Sequence, residues 1–136
     1  MGLTLDSNGI PATALERLDI ASRILEAAQK QGIAKENVWI DCLTLTVSAQ
    51  PEQASQTLEA LRRVKSELGL KTLLGVSNIS FGMPNLSLIN RTFLAQAFEA
   101  RYCPSDDTLT AELVLKDGRN LQFARGSIGC VIENSV

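Results

Sequence analysis

Three successive segments each consist of a short strand signal followed by an amphipathic helix signal, and this repetition constrains the fold more than any other feature of the chain. The first strand signal covers residues 2–5. Thr13 and Glu16 then supply the T-x-x-E pattern of a capping box, in which each side chain satisfies a backbone N–H of the first helical turn. Leu15, Leu18, Ala21, Ile24, Leu25 and Ala28 recur at helical spacing, and Gly32 stands where the helix should close. The second strand is Val38-Trp39-Ile40, ending at Asp41. Pro51 is expected in the first turn of the next helix, whose buried stripe is Leu58, Leu61, Val64 and Leu68, with Gly69 at the stop. The third strand, Thr72-Leu73-Leu74-Gly75-Val76, is apolar after its first residue, the pattern of a strand buried on both faces. It ends at Ser77-Asn78, and a loop over 79–84 leads to a helix capped by Asn85 and carrying Leu88, Ile89, Phe93 and Ala97. Strand-to-strand spacing of roughly 35 residues is that of a βαβ crossover unit. Consecutive units of this kind predict an α/β fold with a parallel sheet.

Past about residue 101 the period changes from helical to two. Leu109, Ala111, Leu113 and Leu115 alternate with Thr110, Glu112, Val114 and Lys116, a turn follows at Lys116-Asp117-Gly118, and further strands are expected at 121–123 and 127–133. The expectation is an antiparallel β-meander over 101–136, packed on an α/β segment formed by 1–100. A three-residue loop at 116–118 sets Leu113 opposite Leu121, Ala111 opposite Phe123 and Glu112 opposite Gln122, giving one apolar and one polar face. A two-residue turn would mix the two, so the longer loop is the expected one, with Gly118 at its left-handed position.

Composition removes several function classes. A formal charge of −2 over 136 residues lacks the basic stripe of a nucleic-acid surface. No apolar run approaches the roughly 20 residues that span a bilayer, and residues 1–8 carry no basic patch of a signal peptide, so a cytoplasmic protein is expected. The chain contains no histidine, which excludes Ser-His and Cys-His catalytic pairs and any His-bearing zinc site. Cys42, Cys103 and Cys130 are widely spaced and odd in number; they are expected as small core residues with no disulfide framework or metal site.

Parallel α/β folds bind ligands where the strands end and loops leave for the helices. Two polar residues fall at such ends, Asp41 and Asn78. Each has an ordinary alternative: Asp41 as a loop or N-cap residue, Asn78 as a turn residue satisfying its own backbone. Position alone does not choose between these.

The residues around both positions resemble a known family. Val38-Trp39-Ile40-Asp41 with Leu43-Thr44-Leu45 is similar to the strand that precedes the pterin-contacting loop of methyltetrahydrofolate (pterin-binding) methyltransferase barrels. That family includes cobalamin-dependent methionine synthase and the corrinoid iron–sulfur protein methyltransferase. The run Gly75-Val76-Ser77-Asn78-Ile79-Ser80-Phe81-Gly82, with Pro84-Asn85 and Leu88-Ile89-Asn90-Arg91-Thr92-Phe93-Leu94-Ala95, resembles its most distinctive segment. Gly2-Leu3-Thr4 with Gly9-Ile10-Pro11 fits the strand and loop just upstream, so the resemblance covers about residues 2–100.

The resemblance implies a partial TIM barrel of three βα units. A whole barrel has eight strands and typically about 250 residues, so the family's first three units and last two lie outside this match. It further implies transfer of a methyl group from N5 of methyltetrahydrofolate to a corrinoid. Asn78 is implied as the catalytic hydrogen-bond donor to N5, and Asp41 and Ser77 as substrate-binding residues, Asp41 accepting from pterin N–H groups. With no histidine to ligate cobalt, the corrinoid (cobalamin) is expected on a partner protein or domain and no cofactor on this chain alone. Cys42 replaces a usual proline after the Asp, which costs the loop that rigidity, and Leu86 replaces a frequent arginine, removing one folate contact. The other reading is a non-catalytic barrel fragment serving as scaffold or interaction module. Open sheet edges favour a homo-oligomer in either case.

Overall fold

The computed structural model describes residues 1–100 in full, the backbone of residue 101 and, beyond it, the backbone of three strands. In chain order the elements are β1 (Gly2–Leu3), α1 (Ala14–Lys30), β2 (Trp39–Asp41), α2 (Gln53–Leu68), β3 (Lys71–Leu74), α3 (Leu86–Arg101), β4 (Leu109–Leu115), β5 (Asn120–Gly126) and β6 (Ile128–Ile132). Short 3-10 turns cover Lys35–Asn37 and Val76–Ser80.

The helix boundaries follow local chemistry. Thr13 and Glu16 make both halves of the capping box, with the Glu16 N–H donating to Thr13 Oγ1 at 3.3 Å and the Thr13 N–H donating to the Glu16 carboxylate at 3.1 Å. α2 stops at Gly69, whose φ of 61° is left-handed and favours a residue without Cβ. Pro51 stands in the turn just before α2 rather than in its first turn; its carbonyl accepts from Ala54 N–H at 3.4 Å.

β1, β2 and β3 pair in parallel, with Gly2 beside Ile40, Leu3 beside Asp41, Trp39 beside Lys71 and Asp41 beside Leu73. Three strands with a helix after each is the expected partial α/β unit. Ile40 and Leu74 join Leu18, Ala21, Leu61, Val64, Phe93 and Ala97 in one buried cluster, so the helices cover a single face of the sheet. That corrects the reading of β3 as buried on both faces. Thr72 and Leu74 are buried, whereas Lys71 and Leu73 are only half-covered because no helix layer lies over them. Two stripe residues also depart from expectation. Leu15 is 62% exposed, on the side of α1 that faces an open cleft, and Leu88 is 52% exposed in the first turn of α3, ahead of Phe93 and Ala97 where that helix meets the core.

The tail differs from a meander. β4 and β5 are antiparallel in the expected register, Leu113 beside Leu121, Ala111 beside Phe123 and Glu112 beside Gln122. β6, however, lies between β3 and β4 and runs parallel to both, giving the order β1-β2-β3-β6-β4-β5. β6 satisfies the hydrogen-bonding edge that β3 would otherwise leave open. Residues 116–119, with the expected Gly118 turn, and the side chains of the tail, with its expected apolar face, lie outside the described residues.

Candidate functional site

Asp41 closes β2. Because successive strand side chains point to opposite faces, Ile40 enters the helix-covered core while Trp39 and Asp41 share the other, half-covered face. On that face the Lys71 ammonium sits 5.0 Å from the centre of the Trp39 ring at the strand's start. At its end, Asp41 Oδ1 accepts the Leu43 N–H at 2.8 Å. The other carboxylate oxygen has no hydrogen bond among the described residues. Burial pushes the Asp41 carboxyl above its ordinary range, and the Leu43 N–H partly opposes that rise. The Asp41 backbone carbonyl takes two bonds from buried Thr4, from its N–H and from Oγ1, each 3.1 Å.

Ser77 and Asn78 stand in the 3-10 turn after β3, at the same end of the sheet as Asp41. The Asn78 N–H donates to the Gly75 carbonyl at 3.2 Å, and its own carbonyl accepts from Phe81 N–H at 3.3 Å. Its side chain is exposed and makes no hydrogen bond to a described residue, so the carboxamide is available to a ligand. The amide nitrogen lies over the α-carbon of Gly75, where an added Cβ would meet it at 2.9 Å. A glycine is what lets the Asn78 side chain take this position. Ser77 is half-buried, and its carbonyl accepts from Ser80 Oγ at 3.2 Å.

Three contacts join the two loops that bear these residues. Val47 N–H donates to the Ile79 carbonyl at 3.0 Å. Thr46 Oγ1 and Ser48 Oγ both donate to the Phe81 carbonyl, at 2.6 and 2.8 Å. Phe81 itself is 76% exposed.

Arg17 is the buried residue with the weakest warning in its sequence context. It is fully buried on α1, a position where a hydrophobic residue would be the ordinary expectation. Its Nε donates to the Pro11 carbonyl at 3.0 Å, Nη1 to the carbonyls of Cys42 and Leu43 at 2.9 and 3.1 Å and to Thr57 Oγ1 at 2.9 Å, and Nη2 to Gln53 Oε1 at 2.6 Å. Burial lowers the guanidinium pKa from its ordinary value. Arg17 thus ties the loop after β1, the loop after β2 and the start of α2 into one unit. The only sequence signal was a charge inside an otherwise apolar helical spacing, beside Leu18 and Ala21.

A cleft of about 410 Å³ opens elsewhere, between the loop after β1 and the outer flank of α1, lined by Ile10, Pro11, Leu15, Asp19, Ile20 and Arg23 among others. Neither Asp41 nor Asn78 borders it.

The structure thus places a carboxylate at the end of β2 and an exposed carboxamide in the turn that follows β3, the adjacent parallel strand. The sequence profile described as pterin binding enzyme matches residues 11–103. The chain belongs to that family. Among relatives of this pterin-binding chain, the methionine synthases of Mycobacterium leprae (strain TN) and Mycobacterium tuberculosis (strain ATCC 25618 / H37Rv) are each 32% identical over 108 residues, covering 74% of this chain and 9% of theirs. The methylcorrinoid:tetrahydrofolate methyltransferase of Eubacterium limosum is 26% identical over 97 residues, 69% of this chain and 35% of that protein. The chain therefore spans a small part of the methionine synthases and about a third of the methyltransferase. Within the pterin-binding fold, Cys42 is fully buried and its N–H donates to the Leu73 carbonyl at 3.4 Å, a bond that a proline could not make.

Proposed function

We propose that this pterin-binding chain holds the pterin of methyltetrahydrofolate at the C-terminal ends of β2 and β3 and takes part in methyl transfer to a corrinoid. The observation that supports the proposal is that one Asp41 oxygen, at the end of β2, and the Asn78 carboxamide, in the turn after β3, both lack a hydrogen bond among the described residues. Asp41 accepts hydrogen bonds from pterin N–H groups and fixes the ring's orientation, the ionised acceptor making them stronger than neutral contacts. Ser77, next to Asn78, supplies a further hydroxyl at the same wall. When the methyl group leaves N5, that nitrogen keeps the electron pair of the broken N–C bond. The Asn78 amide donates to N5 as this charge develops, and a proton follows. A donor already in place costs no reorganisation during the step.

The methyl acceptor comes from elsewhere. The chain has no histidine to ligate cobalt, so the corrinoid belongs to a partner protein or domain. The remaining pterin contacts likewise come from further barrel units, which the β1 edge at Gly2–Leu3 leaves room to add, either within a longer polypeptide or across a homo-oligomer. Light scattering should find an assembly larger than one chain; a monomer at high concentration would remove the oligomer from the account. No helix among the described residues is long and apolar enough to cross a membrane, and a cytoplasmic setting is proposed.

The second reading, a non-catalytic scaffold, rests on the fact that Asp41, Ser77 and Asn78 come from the ends of only two neighbouring strand-to-helix segments. Calorimetry with methyltetrahydrofolate separates the two. Binding that Asp41→Ala and Asn78→Ala each weaken supports the pterin site, whereas no binding at millimolar ligand favours the scaffold.

A further inference from the structure

Leu43 has a φ of 55°, a left-handed conformation that is strained for a residue with a branched side chain. Such strain persists only where the surroundings over-determine it. Here the surroundings are named atoms. The Leu43 carbonyl is drawn inward by Arg17 Nη1 at 3.1 Å and by Thr57 Oγ1 at 3.1 Å, while the neighbouring Cys42 carbonyl is held by the same Nη1 at 2.9 Å. The Leu43 N–H at the other side of that residue reaches Asp41 Oδ1 at 2.8 Å. A buried cation facing only neutral acceptors is costly, and the hydrogen-bond partners of Arg17 among the described residues are carbonyl, hydroxyl and amide oxygens, none of them a carboxylate. The guanidinium has several donors in one rigid plane, which is what two successive carbonyls turned to the same side require.

We infer that Arg17 is a positioning residue for Asp41: by fixing the Cys42 and Leu43 carbonyls it holds Leu43 left-handed, which presents the Leu43 N–H to one Asp41 oxygen and leaves the other for the ligand. The chain of contacts is independent of what the ligand is, but its functional meaning rests on the proposed pterin contact of Asp41. Lysine does not replace arginine here, because a single ammonium on a flexible stem does not reach the three carbonyls and two side-chain oxygens that the three guanidinium nitrogens hold.

The test is residue-specific NMR on the whole chain with Arg17→Lys. Leu43 amide exchange should become about three- to tenfold faster, as expected for one lost hydrogen bond. The Asp41 carboxyl should titrate higher than in the parent, having lost the N–H that holds it down. Exchange at the Thr4 amide, bonded to the Asp41 carbonyl on the other side, should stay as it was. Adding Leu43→Gly should recover the Leu43 protection and the Asp41 titration, since glycine adopts the left-handed conformation without Arg17's help. If Arg17→Lys does not fold, Thr57→Val, which leaves the arginine in place and removes one hydroxyl on the Leu43 carbonyl, should move the same two signals in the same direction by a smaller amount. Unchanged Leu43 and Asp41 signals in a folded variant, or Leu43 and Thr4 loosening together, would overturn the inference. Methyltetrahydrofolate titration forms a separate arm. A parent chain that binds no folate defeats the pterin reading, while the NMR signals still decide the role of Arg17.

Discussion

At the scale of single residues, the candidate site is a balance between a side chain's local backbone bond and its freedom to meet a ligand. Asp41 spends one oxygen on Leu43 N–H and keeps one, so both meanings of a strand-end aspartate, loop residue and ligand, are realised in the same carboxylate. Its carboxyl is raised by burial, so the charged form weakens the folded state. The folded state binds this proton more tightly than the unfolded chain does, and stability falls as pH rises through the window above the ordinary value of 3.8. Asp41→Asn, which keeps an oxygen for the Leu43 N–H, should therefore raise the urea midpoint at neutral pH and lose that advantage in acid below 3.8, while weakening folate binding. Midpoints measured across that range check the sign; an Asn variant less stable than the parent at neutral pH would contradict it. Gly75 offers a second probe. Its φ of −78° is open to alanine, but the added Cβ meets the Asn78 amide nitrogen at 2.9 Å. Gly75→Ala should leave the melting temperature nearly unchanged and weaken folate binding about tenfold, the equivalent of one displaced hydrogen bond. Calorimetry beside a thermal melt separates the two effects.

At the scale of elements, the strand and helix order was legible because it depends on short-range signals. The Thr13–Glu16 box and the left-handed Gly69 mark helix ends by chemistry that involves only a few neighbouring residues. Pairing direction across β1, β2 and β3 followed from the crossover spacing. Which face each residue occupies was less legible, because it depends on what is packed beside the element. Leu15 has the spacing of a core residue and faces a cleft, whereas Arg17 has the wrong chemistry for a core and lies inside it. The position of Asp41 at the end of β2 was readable from a hydrophobic run that stops at a polar residue, whereas the run before Asn78 was read as strand and β3 stops at Leu74, leaving Asn78 in the 3-10 turn that follows. Arg17 was not readable, since its acceptors are backbone carbonyls and side chains up to 40 residues away. The parallel placement of β6 was likewise beyond period-two reasoning, which gives strand existence and register with a neighbour but not sheet order. β3 carries a further consequence of burial. Thr72 is fully buried and its hydroxyl has no hydrogen-bond partner among the described residues. An unpaired buried hydroxyl costs about 1 kcal/mol or more, so Thr72→Val should stabilise the chain by about that amount in urea denaturation.

At the scale of the whole molecule, membership of the pterin-binding family and a half-open sheet describe one situation. The helices shield one face, and the other bears Trp39, Lys71 and Asp41, only half-covered, as an inward-facing barrel surface would be. The β1 edge at Gly2–Leu3 pairs with no strand beyond β2 among the described residues, and Leu3 and Leu5 are exposed. An NMR titration with methyltetrahydrofolate decides whether the proposed pterin site lies after β2 and β3 or in the cleft along α1. Shifts of the Asn78 side-chain amide and of the Leu43 and Ser77 backbone amides, saturating together, are expected, with the Ile10–Arg23 cleft unmoved. Shifts confined to Ile10, Leu15, Asp19 and Arg23, or no shift at all at saturating ligand, would contradict the proposal.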